Sequence, residues 1–190
     1  MKRMLLPATV AALFTVLPAS AELESYTVDP RHTFPTYEVS HFGYSMQRGR
    51  FNKTSGKITL DEATGKCTAD IAIDTASVSS GVDKLDEHLR SEDFLNAAKN
   101  PQITFKSVNC AFEGGKVKSA TGDLTINGVT RPATLTANMF LCAPNPMNKR
   151  KQCGADLEVS LKRSDFGVKY ALPALGDDVK LRINVEAIRD

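Results

Sequence analysis

Val179-Lys180-Leu181-Arg182-Ile183-Asn184-Val185-Glu186-Ala187 alternates apolar and polar side chains without a break. Successive side chains of a strand point to opposite faces, so this stretch reads as a strand with one face in a core and the other in water. Ala155, Leu157, Val159 and Leu161 repeat the pattern against Asp156, Glu158, Ser160 and Lys162. Ala133, Leu135, Ala137, Met139 and Leu141 give it a third time. Half-apolar alternation of this kind belongs to antiparallel sheets; buried parallel strands are apolar throughout.

Outward from these runs, turn chemistry sets the boundaries. Asn127-Gly128 follows Leu124-Thr125-Ile126 and precedes a strand opening near Thr130. Both central residues of a type I′ turn need positive φ, which Asn and Gly tolerate, so a hairpin is predicted here. Gly114-Gly115 joins segments 102–112 and 116–126, and Gly65 lies between 57–61 and 67–77. With segment 33–42 the reading is all-β: eight antiparallel strands, most joined to the next by a short turn. Such a meander can close into a barrel, either filled by side chains or holding one small ligand. A sandwich is the alternative, but short hairpins give little sign of Greek-key crossovers. Pro35 falls within the first strand and marks an edge, a bend or an irregular start.

Between the third and fourth strands the period changes. Ser80-Gly81-Val82-Asp83 reads as an N-cap with an acid at N3, and Val82, Leu85 and Leu89 follow helical spacing. A second short helix is predicted from Ser91, with Glu92 and Asp93 near its positive end, stopping before Asn100-Pro101. A two-helix insertion exceeds the usual loop length, so it is expected to cover one barrel end, as a lid or as a plug.

At the N-terminus, Lys2 and Arg3 precede an apolar run from Met4 to Leu17, then Pro18 and Ala19-Ser20-Ala21. This is the pattern of a signal peptide over 1–21, cleaved after Ala21, so the chain reads as exported, with one domain over 22–190. The apolar run is too short to span a bilayer. Losing Lys2 and Arg3 brings the 24 basic residues level with the 22 acids, leaving no net formal charge. That balance argues against an extended nucleic-acid surface.

Four cysteines in an exported chain favour disulfides, with three connectivities open, and none lies in a C-x-x-C pair. Cys67 begins the third strand and Cys110 lies near the end of the fourth, while Cys142 and Cys153 flank the tip 143–152. The predicted pairs are Cys67–Cys110 and Cys142–Cys153. Paired cysteines supply no thiolate for catalysis. His32, His41 and His88 lack the spacing of a helical metal pair, and Ser164-Asp165 sits in no G-x-S-x-G elbow. No catalytic residue, metal or cofactor is expected. The basic tip Lys149-Arg150-Lys151 reads as a solvated hairpin end, with peripheral contact to anionic lipid as the sharper alternative.

Several motifs, in order, resemble the YceI-like family of exported, lipocalin-like barrels that bind polyisoprenoids and related amphiphiles. They run from Tyr26–His32 and Val39–Tyr44 through Gly49–Asn52, Leu89–Phe94, Asn100–Phe105 and Gly122–Pro132 to Arg163–Gly167. The resemblance covers essentially the whole chain after Ala21. It implies an elongated barrel whose apolar tunnel holds a prenyl chain, an isoprenoid quinone-like lipid or a fatty amide, and it implies a periplasmic location and often a homodimer. The cysteines and the 143–152 tip depart from that pattern.

Strand parity and motif position give the lumen candidates. They are Phe42, Phe51, Phe94, Phe105, Leu135, Met139, Leu157, Leu161, Phe166, Ile183 and Val185, each of which also reads as ordinary core. His32 and Arg163, with Asp165, could hold a polar headgroup or tie the barrel mouth together. The leading expectation is a carrier or store for a long-chain amphiphilic lipid. The alternatives are a secreted interaction protein with a filled barrel, and an enzyme acting on an amphiphile inside it.

Overall fold

The computed structural model describes residues 23–190. The signal peptide over 1–21 and its cleavage after Ala21 therefore lie outside the described residues. The eight predicted strands form a barrel, and the first three are each broken in two. The first is β1 (Glu24–Val28) and β2 (Phe34–His41); the second is β3 (Ser45–Phe51) and β4 (Thr54–Asp61); the third is β5 (Lys66–Asp74) and β6 (Val78–Ser79). Helix α1 (Asp83–Arg90) follows. The remaining strands are β7 (Gln102–Glu113), β8 (Lys116–Ile126), β9 (Val129–Pro144), β10 (Lys151–Lys162) and β11 (Leu175–Arg189).

Each of the eight strands, taken with its two halves together, pairs antiparallel with its sequence neighbour, and β11 closes the ring. Its last turn of residues pairs with β1, Val28↔Ala187 to Tyr26↔Arg189, and its earlier part pairs with β2 from Asn184↔Phe34 to Leu175↔His41. Closure removes the edges that an open sheet would leave exposed. Between β1 and β2 the chain bulges at Asp29–Thr33, and the Thr33 hydroxyl stands in for backbone pairing by bonding both the N–H and the carbonyl of Glu186. Pro35, just past this bend, is paired to Ile183 but lies beyond the last β2–β3 pair, so its missing N–H leaves no gap in that ladder.

Asn127 and Gly128 both take positive φ, 50° and 73°, as the predicted hairpin requires. The insertion differs from expectation. It contains one helix, not two: from Ser91 the chain makes a series of turns, and Asn96, at φ 46°, is left-handed and blocks helical continuation. Ser80 is not the N-cap either. That position is Val82, while the Ser80 N–H and hydroxyl both donate to Asp86 of the helix at 2.6 Å.

Bulges change which residues face inward, those of β7 and β9 among them. In β7 one extra residue lies between Ser107 and Asn109, so the inward set passes from Phe105 and Ser107 to Cys110. In β9, Ala137 pairs with Leu157 but Met139 with Asp156, leaving Asn138 unpaired. Inward parity therefore passes from Leu135 to Phe140 and Cys142. The alternation through Met139 and Leu141 that the sequence displays ends at this bulge, and both side chains are exposed.

Candidate functional site: the barrel lumen

The inward side chains surround a cavity of about 290 Å³. Its wall is almost wholly apolar. Ala69, Ile71 and Ile73 come from β5, Leu124 from β8, Leu157 and Leu161 from β10, and Leu181, Ile183 and Val185 from β11. Leu157, Leu161, Leu181 and Ile183 pack against the core yet remain only half-buried, because the space in front of them is open. Along β10 the lining runs from Cys153 to Leu161, roughly 26 Å of strand at about 3.3 Å per residue. Strand tilt shortens that to roughly 20 Å along the barrel axis. The buried Thr54 hydroxyl in this wall has no hydrogen-bond partner among the described residues.

One end is sealed. There the hairpin tips meet Glu24 and the end of β11, and the two disulfides staple the wall: Cys67–Cys110 with Cα atoms 5.6 Å apart, and Cys142–Cys153 at 4.1 Å. The bulge in β7 is what turns Cys110 toward Cys67. Tyr26 is fully buried here, and its hydroxyl donates to Glu24. Burial and that neighbouring carboxylate push its pKa up to about 12. Lys151 bridges Glu24 at 2.7 Å and Glu62 at 2.6 Å, and these bonds hold its ammonium well above the usual lysine range. Lys151 is therefore part of the seal. Arg150 bonds the Arg189 carbonyl, so the basic tip is not the free charge cluster that the sequence displays.

The other end is covered. Leu89 of α1, Phe94 and Leu95 of the turns after it, Val168 of the β10–β11 connection and Leu175 at the start of β11 all line the cavity from above. His88, Phe94 and Tyr170 pack with ring centroids 4.9 to 5.2 Å apart, joining the insertion to the connection. Arg163 fixes that connection. The residue is 8% exposed, and its guanidinium donates to the carbonyl oxygens of Gly176 at 2.8 Å, Tyr170 at 2.9 Å, and Val168 and Leu175 at 3.2 Å. Burial lowers its pKa from the ordinary arginine value. Ser164 caps the same region through its N–H and hydroxyl, both donating to Asp177.

The structure brings together Phe51, Phe94, Phe105, Leu135, Leu157, Leu161, Phe166, Ile183 and Val185 on the lumen wall. It does not bring Phe42 or Met139 there. Phe42 sits in the β2–β3 turn at φ 52°, half-exposed and packed edge-on against His41, because the turn directs it away from the strand face. Met139 is turned outward by the Asn138 bulge. Arg163 reaches the wall with its donors already engaged by backbone. His32 lies on the β1–β2 bend, away from the lining, with Nδ1 2.9 Å from Asp29. Pro35, Tyr37 and Val39 of β2 were missed as lining residues, although their period-2 spacing signals one face.

A family model, the YceI-like domain, matches residues 26–187. The chain belongs to the YceI-like family. Protein YceI of Escherichia coli is 37% identical over 192 residues, covering 100% of this chain and 99% of that protein. The crystal structure of a Campylobacter jejuni YCEI protein superposes with TM-score 0.71 at 31% identity, covering 80% of this chain and 90% of that one. A polyisoprenoid binding domain from Saccharophagus degradans, implicated in plant cell wall breakdown, shares the fold at TM-score 0.64 and 14% identity, covering 89% and 100%. Family and fold agree on the closed eight-stranded barrel with a short helical insertion.

Proposed function

We propose that this YceI-like protein is a periplasmic binding protein that holds a long-chain isoprenoid or related amphiphilic lipid in its lumen, for transport, storage or stress protection. The observation that carries this reading is the hollow apolar wall, sealed at one end and covered at the other by side chains of α1 and the β10–β11 connection. A solid barrel would have its inward leucines fully buried, and here several are not. Each CH₂ moved from water into such a wall gains roughly 0.8 kcal/mol, so a few isoprene units reach micromolar affinity after ordering losses. The named ligand class of the Saccharophagus degradans domain supports the choice of chain. The wall offers few polar groups, which supports binding over catalysis. The export pattern of residues 1–21 and two disulfides support the periplasm.

Native mass spectrometry of protein purified from its own envelope, with extraction of the released lipid, tests the reading. The expected result is a stoichiometric adduct whose mass is that of a prenyl lipid. A reproducibly empty protein would contradict it, and turnover of the bound lipid by purified protein would move the reading to an enzyme.

A further inference from the structure

Thr54 Oγ1 and Thr75 Oγ1 are buried hydroxyl oxygens without a hydrogen-bond partner among the described residues, and both belong to the break between the halves of the second and third strands. Thr54 opens β4 opposite Ile73, and Thr75 follows Ile73 by two residues. Backbone bonds hold the break in place. The Asn52 N–H donates to the Ser77 carbonyl, that of Asp74 to the Lys53 carbonyl and that of Thr75 to the Pro101 carbonyl, each at 3.0 Å. Thr54 is 3% exposed and lines the lumen, whereas Thr75, at 1%, is not part of the lining.

Most other polar side chains of the wall are spent. The Thr33 hydroxyl bonds Glu186, that of Thr36 donates to the Arg182 carbonyl at 3.0 Å, and that of Tyr26 donates to Glu24. Tyr37 carries its hydroxyl to Gly49, 2.3 Å from where a Cβ would stand. A buried hydroxyl gives up its bonds to water and needs another partner. Ile73 and Ile103, the next side chains across the sheet, offer a water no second bond, and a buried water needs about two to four polar partners. A ligand oxygen is held by its own chain and needs only the one. The one charged side chain of the lining is Arg163, whose guanidinium is already engaged by four carbonyl oxygens. A charged group beside Thr54 would therefore be buried without a counterion. The oxygen that suits Thr54 is uncharged, and a carbonyl accepts the hydrogen bond that the hydroxyl donates.

We infer that Thr54 selects what the lumen holds: its hydroxyl donates to an uncharged carbonyl oxygen of the bound chain, so that a carbonyl-bearing chain is kept in preference to a hydrocarbon of the same shape. Six residues of β5 separate Ile73 from Cys67, about 20 Å of strand. The apolar remainder of the chain thus lies between Thr54 and the disulfide end. The selection rests on the hollow-lumen reading, and competition between two matched chains separates failure of one from failure of the other.

The isoprenoid ketone phytone and the hydrocarbon pristane share one branched skeleton, with a methyl group in pristane where phytone has its carbonyl oxygen. Equal amounts are offered together to lipid-stripped wild type, T54V and T54S, and the ratio carried through gel filtration is read by gas chromatography. The wild type is expected to hold at least about fivefold more ketone relative to hydrocarbon than T54V, and T54S to regain most of that preference. The melting temperature of stripped T54V should not fall, because the hydroxyl it loses has no partner among the described residues. Equal ratios in the wild type and T54V overturn the inference and leave the lumen reading standing. A lower melting temperature of stripped T54V overturns it too, by showing that the hydroxyl is already bonded within the protein. Uptake of neither chain by the wild type overturns the hollow lumen together with it.

Discussion

Asp29 shows how one side chain holds a break in the barrel wall. It is buried at the β1–β2 bend and accepts from the Arg31 N–H at 3.0 Å, the Arg31 guanidinium, and His32 at 2.9 Å. Burial opposes its ionisation, but those hydrogen bonds outweigh burial and hold the carboxyl down at about 2. An unfolded aspartate titrates near 3.9. A depressed native value contributes stability that is present above about pH 4 and lost as pH falls toward about 2. Melting temperature followed across that window should therefore fall in the wild type. In D29N that part of the acid limb should be missing, and an unchanged limb would show that other carboxylates carry it. Asp29 was not legible as a structural acid in the sequence. Asp29-Pro30-Arg31 reads as turn chemistry, and only the fold shows that Asp29 itself is buried, its N–H bonded to the Glu186 carbonyl.

At the scale of elements, the two disulfides and the bulges of β7 and β9 have to be read together. Pairing of Cys67 with Cys110 and of Cys142 with Cys153 followed from the placement of strands and tips, and the structure has both. Parity did not follow as far. Met139-Phe140-Leu141-Cys142 is apolar at every position, so the sequence cannot show at which residue the inward face changes. Register against β10 decides it, by leaving Asn138 unpaired. The insertion has the same character: Leu85 and Leu89 spell a helix, but a second helix fails because Asn96 turns left-handed. The sequence separations of 43 and 11 residues convert, in the chain-entropy view, to about 4 kcal/mol for Cys67–Cys110 and about 3 kcal/mol for Cys142–Cys153. Denaturant unfolding of C67S/C110S and C142S/C153S should show losses in that order. A larger loss from the shorter loop would contradict the chain-entropy account.

For the whole molecule, closure and hollowness are separate properties. The closed meander was legible because each hairpin carries its own turn signal and each strand its own alternation. Hollowness was not, because an apolar inward face is the same string of letters whether it meets other side chains or a lipid. The spacing of the wall decides it, and small residues such as Ala69 and Ala155 on that wall keep the bore open. This makes a filling substitution more informative than a charged one, since a charge in the wall would also unfold the barrel. The most direct measurement is the lipid carried per protein by the wild type and by A155W, alongside the melting temperature of each. A hollow, lipid-holding barrel predicts a near-stoichiometric load in the wild type and several-fold less in A155W, with a melting temperature that does not fall. An empty wild type, or an equal load in both, would contradict it.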